Sequence, residues 1–210
     1  MKLLLVGSSG LVGRQVLAQA LADARVTAIT ALGRKPLPPQ PKLASHQVDF
    51  ENLPDDATLW AVDAVISTLG TTLKDAGSQD AFRRIDHGYN LAVARQARHH
   101  GVPAFVLNSA MGADAASGTF YLRSKGELER DVRALAFPSL TLARPGLIGG
   151  ARERSRPAEA AAQAVLGVLG PLLPRRFRIN PAPVIARALV QAAVAGKPGV
   201  HIITSDQMVD

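Results

Sequence analysis

Apolar positions in this chain alternate between two rhythms. Nearly unbroken runs, Leu3 to Val6, Ala64 to Ser67, Ala104 to Leu107 and Leu140 to Ala143, read as strands buried on both faces. Arg25 to Leu32, Gln47 to Asp49 and Val200 to Thr204 read as three further strands. Between the strands, apolar residues recur at helical spacing. They do so at Val16, Leu17, Ala20 and Leu21, and then over about Gln79 to His100, Thr119 to Ala136, Ala158 to Leu169 and Val184 to Ala195. Pro36 to Pro41 holds four prolines and must be an extended loop. Strands separated by helices predict a parallel sheet covered on both faces, and right-handed crossovers make it a doubly wound α/β Rossmann fold. No repeat or long linker divides the chain. Residues 1–210 are expected to form one domain with a small substrate-side region at about 146–200.

Ligands of such a sheet lie beyond the carboxyl ends of the strands, so the residues just after each strand carry the chemistry. After the first strand comes Gly7-Ser8-Ser9-Gly10-Leu11-Val12-Gly13. Gly7 lets the chain turn off the strand, Gly10 removes a side chain where a pyrophosphate approaches, and Gly13 lets the helix pack close to the sheet. The free N–H groups and positive dipole of the helix start then face the anion. The alternative is an ordinary tight strand–helix connection. After the second strand comes Gly33-Arg34-Lys35, where an NAD enzyme carries an acidic residue for the ribose 2′-hydroxyl. A cation there matches a 2′-phosphate, which favours NADP(H) over NAD, with a solvated basic loop as the alternative. Asp49, after the third strand, either accepts a hydrogen bond from an adenine amino group or caps the turn at Glu51 and Asn52.

The segment from Thr119 holds the best candidates for proton chemistry. With Tyr121 at zero on a helical wheel, Lys125, Leu128, Val132 and Leu135 fall within about forty degrees of it. An apolar stripe does not ordinarily continue into a lysine, because desolvating an ammonium is costly. An adjacent ammonium lowers a phenol's pKa and makes it a usable acid or base. Lys125 can also reach a cofactor ribose, and Ser109, at the end of the fifth strand, can orient a substrate carbonyl. Taken singly, the three also read as a core-rim tyrosine, a snorkelling lysine and a strand-end serine.

Composition narrows the function classes. The chain has 210 residues, 47% hydrophobic and 20% charged, with no cysteine, so neither disulfides nor thiolate chemistry is available. The net charge of +7 is spread along the chain and aromatic residues are only 4%, which argues against a nucleic-acid platform. The opening apolar run is too short for a signal peptide or a membrane span, and the expected compartment is the cytoplasm. His46, His87, His99, His100 and His201 show no ligand spacing with carboxylates, so no metal site is expected.

The glycine string, Ser109, Tyr121-Leu122-Arg123-Ser124-Lys125 and Arg144-Pro145-Gly146 resemble the short-chain dehydrogenase/reductase superfamily over almost the whole chain. Ser67 to Thr72, Asn108 to Asp114, Tyr121 to Glu127 and the tail from Arg144 to Arg156 resemble an atypical branch, that of the Tat-interacting tumour-suppressor protein. The resemblance implies that Gly7, Gly10 and Gly13 hold the pyrophosphate, with backbone contacts from Ser9, Leu11 and Val12. Arg34 would meet the 2′-phosphate, Leu69 and Gly70 would line the adenosine side, and Pro145 to Ile148 would border the nicotinamide. Ser109, Tyr121 and Lys125 would be the catalytic set.

Two departures stand out. Asp86 occupies the place of an asparagine that supports a proton relay in the superfamily; it would bind water, hold the lysine or cap a buried turn. The region after Gly150 is short for a sugar-nucleotide epimerase. These features imply an NADP(H)-dependent oxidoreductase acting on a small carbonyl or hydroxyl substrate as a monomer or homodimer. The alternatives are a non-catalytic NADPH-binding regulator and, less favoured, an epimerase-like isomerase. Arg152, Arg154 and Arg156, with Arg175, Arg176 and Arg178, would favour an anionic substrate if they border the cleft, and otherwise form a solvated basic rim.

Overall fold

The computed structural model describes residues 1–149 and 174–209. The chain opens with β1 (Lys2–Val6), α1 (Leu11–Ala22), β2 (Ala28–Gly33) and β3 (Leu43–Gln47). There follow α2 (Ala57–Trp60), β4 (Ala64–Ser67), α3 (Leu73–Ala76) and α4 (Gln79–Arg83). A single π-helical turn, Arg84–Tyr89, joins α4 to α5 (Asn90–His99), and β5 (Ala104–Asn108), α6 (Phe120–Ala134) and β6 (Ser139–Arg144) come next. The C-terminal part holds β7 (Ile148–Gly149), β8 (Asn180–Pro181), α7 (Ala182–Ala195) and β9 (Gly199–Thr204).

Seven strands form one sheet in the order β3-β2-β1-β4-β5-β6-β9, with every neighbouring pair parallel. The order reverses direction at β1, which places a crevice between the ends of β1 and β4. Alternation along the strands supplies the two halves of the core. Leu3, Leu5, Ile29, Ile66 and Val106 face α1 and α7, whereas Leu4, Val6, Leu32, Val65, Phe105 and Leu107 face α5 and α6. Each such buried aliphatic or aromatic side chain contributes about 1.5–3 kcal/mol, which is why these runs occupy the central strands. α7 and β9 belong to these layers, since α7 packs beside α1 and β9 extends the sheet from β6. The residues left between them and β6 include a separate two-stranded pairing of β7 with β8.

Four elements differ from the sequence expectation. The third strand lies earlier, at Leu43–Gln47, because pairing with β2 from Ile29 to Gly33 sets its register. The long helix expected from Gln79 to His100 is interrupted by the π turn, whose extra residue brings Phe82, Asp86, Asn90, Val93 and Ala97 to buried positions. The short α2 and α3 are too brief to show a period in sequence; each starts at a side-chain cap, Asp56 on Thr58 N and Thr72 on Asp75 N. The expected helix at Ala158 to Leu169 and the cations Arg152, Arg154 and Arg156 lie outside the described residues. Among those described, no helix is long and apolar enough to cross a membrane.

Candidate active site

The glycine turn is shaped by close backbone approach. Gly7 has φ +82°, and a Cβ there would lie 2.6 Å from the carbonyl carbon of Thr68. A Cβ on Gly13 would overlap the Gly7 carbonyl and lie 2.8 Å from Thr68 Oγ1, so the helix start, the turn and the end of β4 are mutually pressed together. Thr68 Oγ1 donates to Val6 O at 2.9 Å and fastens β4 to the end of β1. Gly10 N donates to Gly7 O at 3.0 Å, and Gly10 caps α1 without any side-chain hydrogen bond. The first-turn N–H groups are therefore left for an outside acceptor, at the positive end of the helix dipole.

A cavity of about 680 Å³ opens from this turn. Gly7, Ser8, Ser9 and Gly10 form one wall, Gly33 to Leu37 a second, and Thr68 to Thr71 a third. Arg34 and Lys35 are exposed on the second wall. Leu11, Val12 and Gly13 sit behind the turn in α1, and Leu69 and Gly70 line the third wall. The far end is apolar, made by Leu32, Phe50, Ile85 and Tyr89, with the rings of Phe50 and Tyr89 stacked at 5.5 Å. Tyr89 Oη donates to Glu51 Oε1 at 2.8 Å, and that bond pushes the phenol's pKa up. A bare glycine cradle, an uncapped helix start, a cationic rim and an aromatic end fit a dinucleotide. Asp49 does not line this cavity. It caps its own turn, Oδ1 accepting from Glu51 N at 3.0 Å and Oδ2 from Asn52 Nδ2 at 3.2 Å.

The inward face of α6 carries the other half of the site. Gly126 lets α6 approach the loop after β5, since a Cβ there would overlap the backbone of Asp114 and Ala115. Tyr121, in the first turn, is 39% exposed and meets Phe82 edge to face at 5.9 Å. Lys125, one turn on, is buried, and its Nζ lies 2.7 Å from Asp86 Oδ2. Burial alone would depress the Lys125 pKa, but Asp86 first, then Tyr121 and Glu129, hold it above the ordinary lysine value. The other Asp86 oxygen accepts from Thr71 N at 3.3 Å, on the cofactor-side wall. A Cβ on Gly70 would sit 3.2 Å from that same oxygen. Asn90 steadies the π turn, with Nδ2 donating to Asp86 O at 2.8 Å and Oδ1 accepting from Ser67 Oγ at 2.5 Å. Of the alternatives open for Asp86, the structure shows the lysine partner.

Ser109 is placed beneath this layer. It is buried, and its hydroxyl donates to Glu129 Oε1 at 2.6 Å. Arg144 grips the same carboxylate through Nε at 3.0 Å and Nη2 at 2.5 Å. Glu129 is the residue that sequence reading missed, although it stands four residues after Lys125 on the flank of the same helical stripe. Phe50 and Tyr89 were missed as well, because nothing local marks two rings that meet only across the fold. Pro145 lies just past β6, where its carbonyl accepts from Met111 N at 2.7 Å, and Ile148 lies in β7; neither lines the 680 Å³ cavity. Arg175 turns to the C-terminal end, Nε donating to Asp206 O at 3.4 Å, and Arg176 stacks over Phe177 at 4.7 Å.

Comparison with known proteins agrees with this geometry. The family described as NAD(P)H-binding matches residues 7–161. The chain is 35% identical to the protein fmp52, mitochondrial, of Aspergillus clavatus, over 98% of this chain and 95% of that protein. The protein of the same name from Emericella nidulans is 39% identical over 79% of this chain and 75% of its own. Among solved structures, MoeE5 in complex with UDP-glucose and NAD superposes with a TM-score of 0.73 at 16% identity, covering 96% of this chain and 75% of that one. UDP-glucuronic acid 4-epimerase from Bacillus cereus in complex with NAD gives 0.70 at 14%, covering 97% and 78%. At such identities these structures establish the fold alone. The fungal relatives are named as mitochondrial, which overturns the cytoplasmic expectation. Compartment is set by targeting signals that receptors read, and the apolar pattern of a folded domain does not carry it. The chain belongs to the NAD(P)H-binding family, as an atypical short-chain dehydrogenase/reductase with the Fmp52 proteins among its relatives.

Proposed function

We propose that the protein is an NADP(H)-dependent oxidoreductase acting on a small carbonyl or hydroxyl substrate. The observation that carries this reading is the buried Lys125–Asp86 pair. It ties the helix of Tyr121 to Thr71, on the wall of the nucleotide cavity. Arg34 and Lys35 on the facing wall supply the cations a 2′-phosphate requires. Bound nicotinamide supplies or accepts the hydride. Tyr121 exchanges the proton at the substrate oxygen, and the Lys125 ammonium stabilises its phenolate form. Ser109 has already given its hydrogen to Glu129, so it meets a substrate oxygen as an acceptor and favours the hydroxyl form of the substrate.

That Ser109–Glu129 bond also favours a second reading, a nucleotide-binding regulator in which the serine is structural. The two are separated by titrating the protein with NADPH and NADH and then screening small carbonyl compounds for NADPH oxidation. Turnover abolished by Tyr121→Phe, with NADPH affinity retained, supports the oxidoreductase. Tight NADPH binding without turnover on any carbonyl supports the regulator. Binding of neither nucleotide removes the basis of both.

A further inference from the structure

Beside a second cavity that Phe50 also lines, the fold gathers Asp55, His99 and His100. One ligand atom from each lies within 4.8 Å of the other two. We propose that these three side chains form a binding site for a divalent transition-metal ion of the zinc type. Nothing in the spacing along the chain announces it: Asp55 comes from the loop before α2, and the two histidines end α5, more than forty residues later.

Part of the site is already organised. His100 Nε2 lies 2.8 Å from Asp55 Oδ1, a hydrogen bond that already holds one imidazole beside one carboxylate and that a bound ion would replace as the two atoms part by about 0.5–0.8 Å. The His100 ring lies parallel to Trp60, with centroids 6.0 Å apart. Trp60 Nε1 in turn donates to Pro54 O at 2.9 Å, which anchors the residue before Asp55. The His99 ring stands edge-on to His100 with centroids 5.0 Å apart. Ligand atoms around a tetrahedral zinc are separated by about 3.3–3.6 Å, given bonds of about 2.0–2.2 Å. Rotation of the exposed Asp55 and His99 side chains covers the difference from 4.8 Å.

The chemistry of the donors selects the ion. Two imidazoles and a carboxylate suit zinc, nickel or copper(II), and do not suit magnesium or calcium, which take oxygen ligands. The histidines sit at the C-terminal end of α5, where the helix dipole favours a cation. Arg98 is directed elsewhere, its Nε donating to Leu135 O at 3.1 Å. A cavity of about 510 Å³ adjoins the site, lined by Glu51, Asn52, Asp55, Arg95, Gln96 and His99, and leaves room for water to complete the coordination. A bound ion would clamp the loop that carries Phe50 onto α5, and Phe50 lines both cavities.

The test is calorimetric titration of the metal-stripped full chain with Zn2+, with Co2+ absorption as a probe of geometry. One ion per chain is expected, with tetrahedral-type Co2+ bands and a rise in melting temperature. His99→Ala and Asp55→Asn should each weaken Zn2+ binding at least tenfold, while His201→Ala leaves it unchanged. His100→Ala also removes the Trp60 stack, so the exposed His99 and Asp55 variants decide the matter. Absence of saturable Zn2+ binding by the wild-type chain would overturn the proposal, as would one-to-one binding that survives in both of those variants.

Discussion

Lys125 Nζ and Asp86 Oδ2 lie 2.7 Å apart with both side chains almost wholly buried, joining α6 to the π turn that precedes α5. Removing one partner of such a pair leaves an uncompensated charge and costs about 3–5 kcal/mol. Asp86→Ala should therefore destabilise the protein by that amount in chemical denaturation, and adding Lys125→Met should recover most of the loss. The pair also has a pH signature. The folded-state pKa of Lys125 is raised above 10.5, so its contribution is complete below that value and is lost as pH rises through the higher folded value. Stability from this group should be flat across neutral pH and fall only in strong alkali. Lys125→Met should lack that alkaline limb.

Glu129 and Ser109 should separate in stability measurements. Glu129→Ala strands Arg144 and the Ser109 hydroxyl together, with an expected loss of about 3–5 kcal/mol. Ser109→Ala removes one donor from a carboxylate that Arg144 still holds, and about 1–3 kcal/mol is expected. If Ser109→Ala left stability untouched, its hydroxyl would not be committed to Glu129.

Gly13→Ala tests the glycine turn. The new methyl would overlap the Gly7 carbonyl and crowd Thr68, both of which are backed by neighbouring strands and cannot yield cheaply. A loss of about 1–3 kcal/mol is expected, accompanied by loss of NAD(P)H binding in fluorescence titration. Gly101→Ala is a useful contrast. Its φ of +76° strains any side chain, but open space surrounds it, so stability should fall while nucleotide binding survives.

Arg34→Ala tests the cofactor preference. A charge-assisted contact with a 2′-phosphate contributes about 1.5–3 kcal/mol, so NADPH affinity should drop roughly ten- to hundredfold. NADH affinity should barely move, and the difference between the two nucleotides should shrink as salt is raised. Equal weakening of both would assign Arg34 to the pyrophosphate.

Asp23 offers a surface pH test remote from the site. Hydrogen bonds from the Arg25 guanidinium and backbone bring its carboxyl down from 3.8 to about 2. A depressed carboxylate pKa favours the fold above the unfolded value, and that contribution is lost as pH falls through about 2. In an NMR titration, Arg25→Ala should raise the Asp23 midpoint part of the way toward 3.8, since the backbone N–H of residue 25 still donates to the carboxylate.

The central strands and their parallel arrangement were legible in the sequence because burial on both faces leaves an apolar run that no other element requires. So was the glycine turn, because a strand ending at Val6 and a helix starting after Gly10 admit little else than a backbone cradle. Tyr121 and Lys125 were visible through one physical oddity, a lysine on the buried side of a helix. The edges and interruptions were harder to read. β3 takes its register from β2, and the π turn at Arg84–Tyr89 follows from what Asp86 and Asn90 find across the fold.

Local pattern along the chain, then, determined the layers of this protein, the glycine turn at the end of β1 and the helix that places Tyr121 and Lys125 on one face. Tertiary structure alone decided which polar groups meet. It joined Asp86 to Lys125, turned Ser109 toward Glu129, stacked Phe50 on Tyr89 and brought Asp55 to His99 and His100. The physical reason is range. Burial and backbone conformation act residue by residue and leave a periodic trace, whereas a hydrogen bond or ion pair between distant residues depends on crossover paths and loop register, which have no period to read.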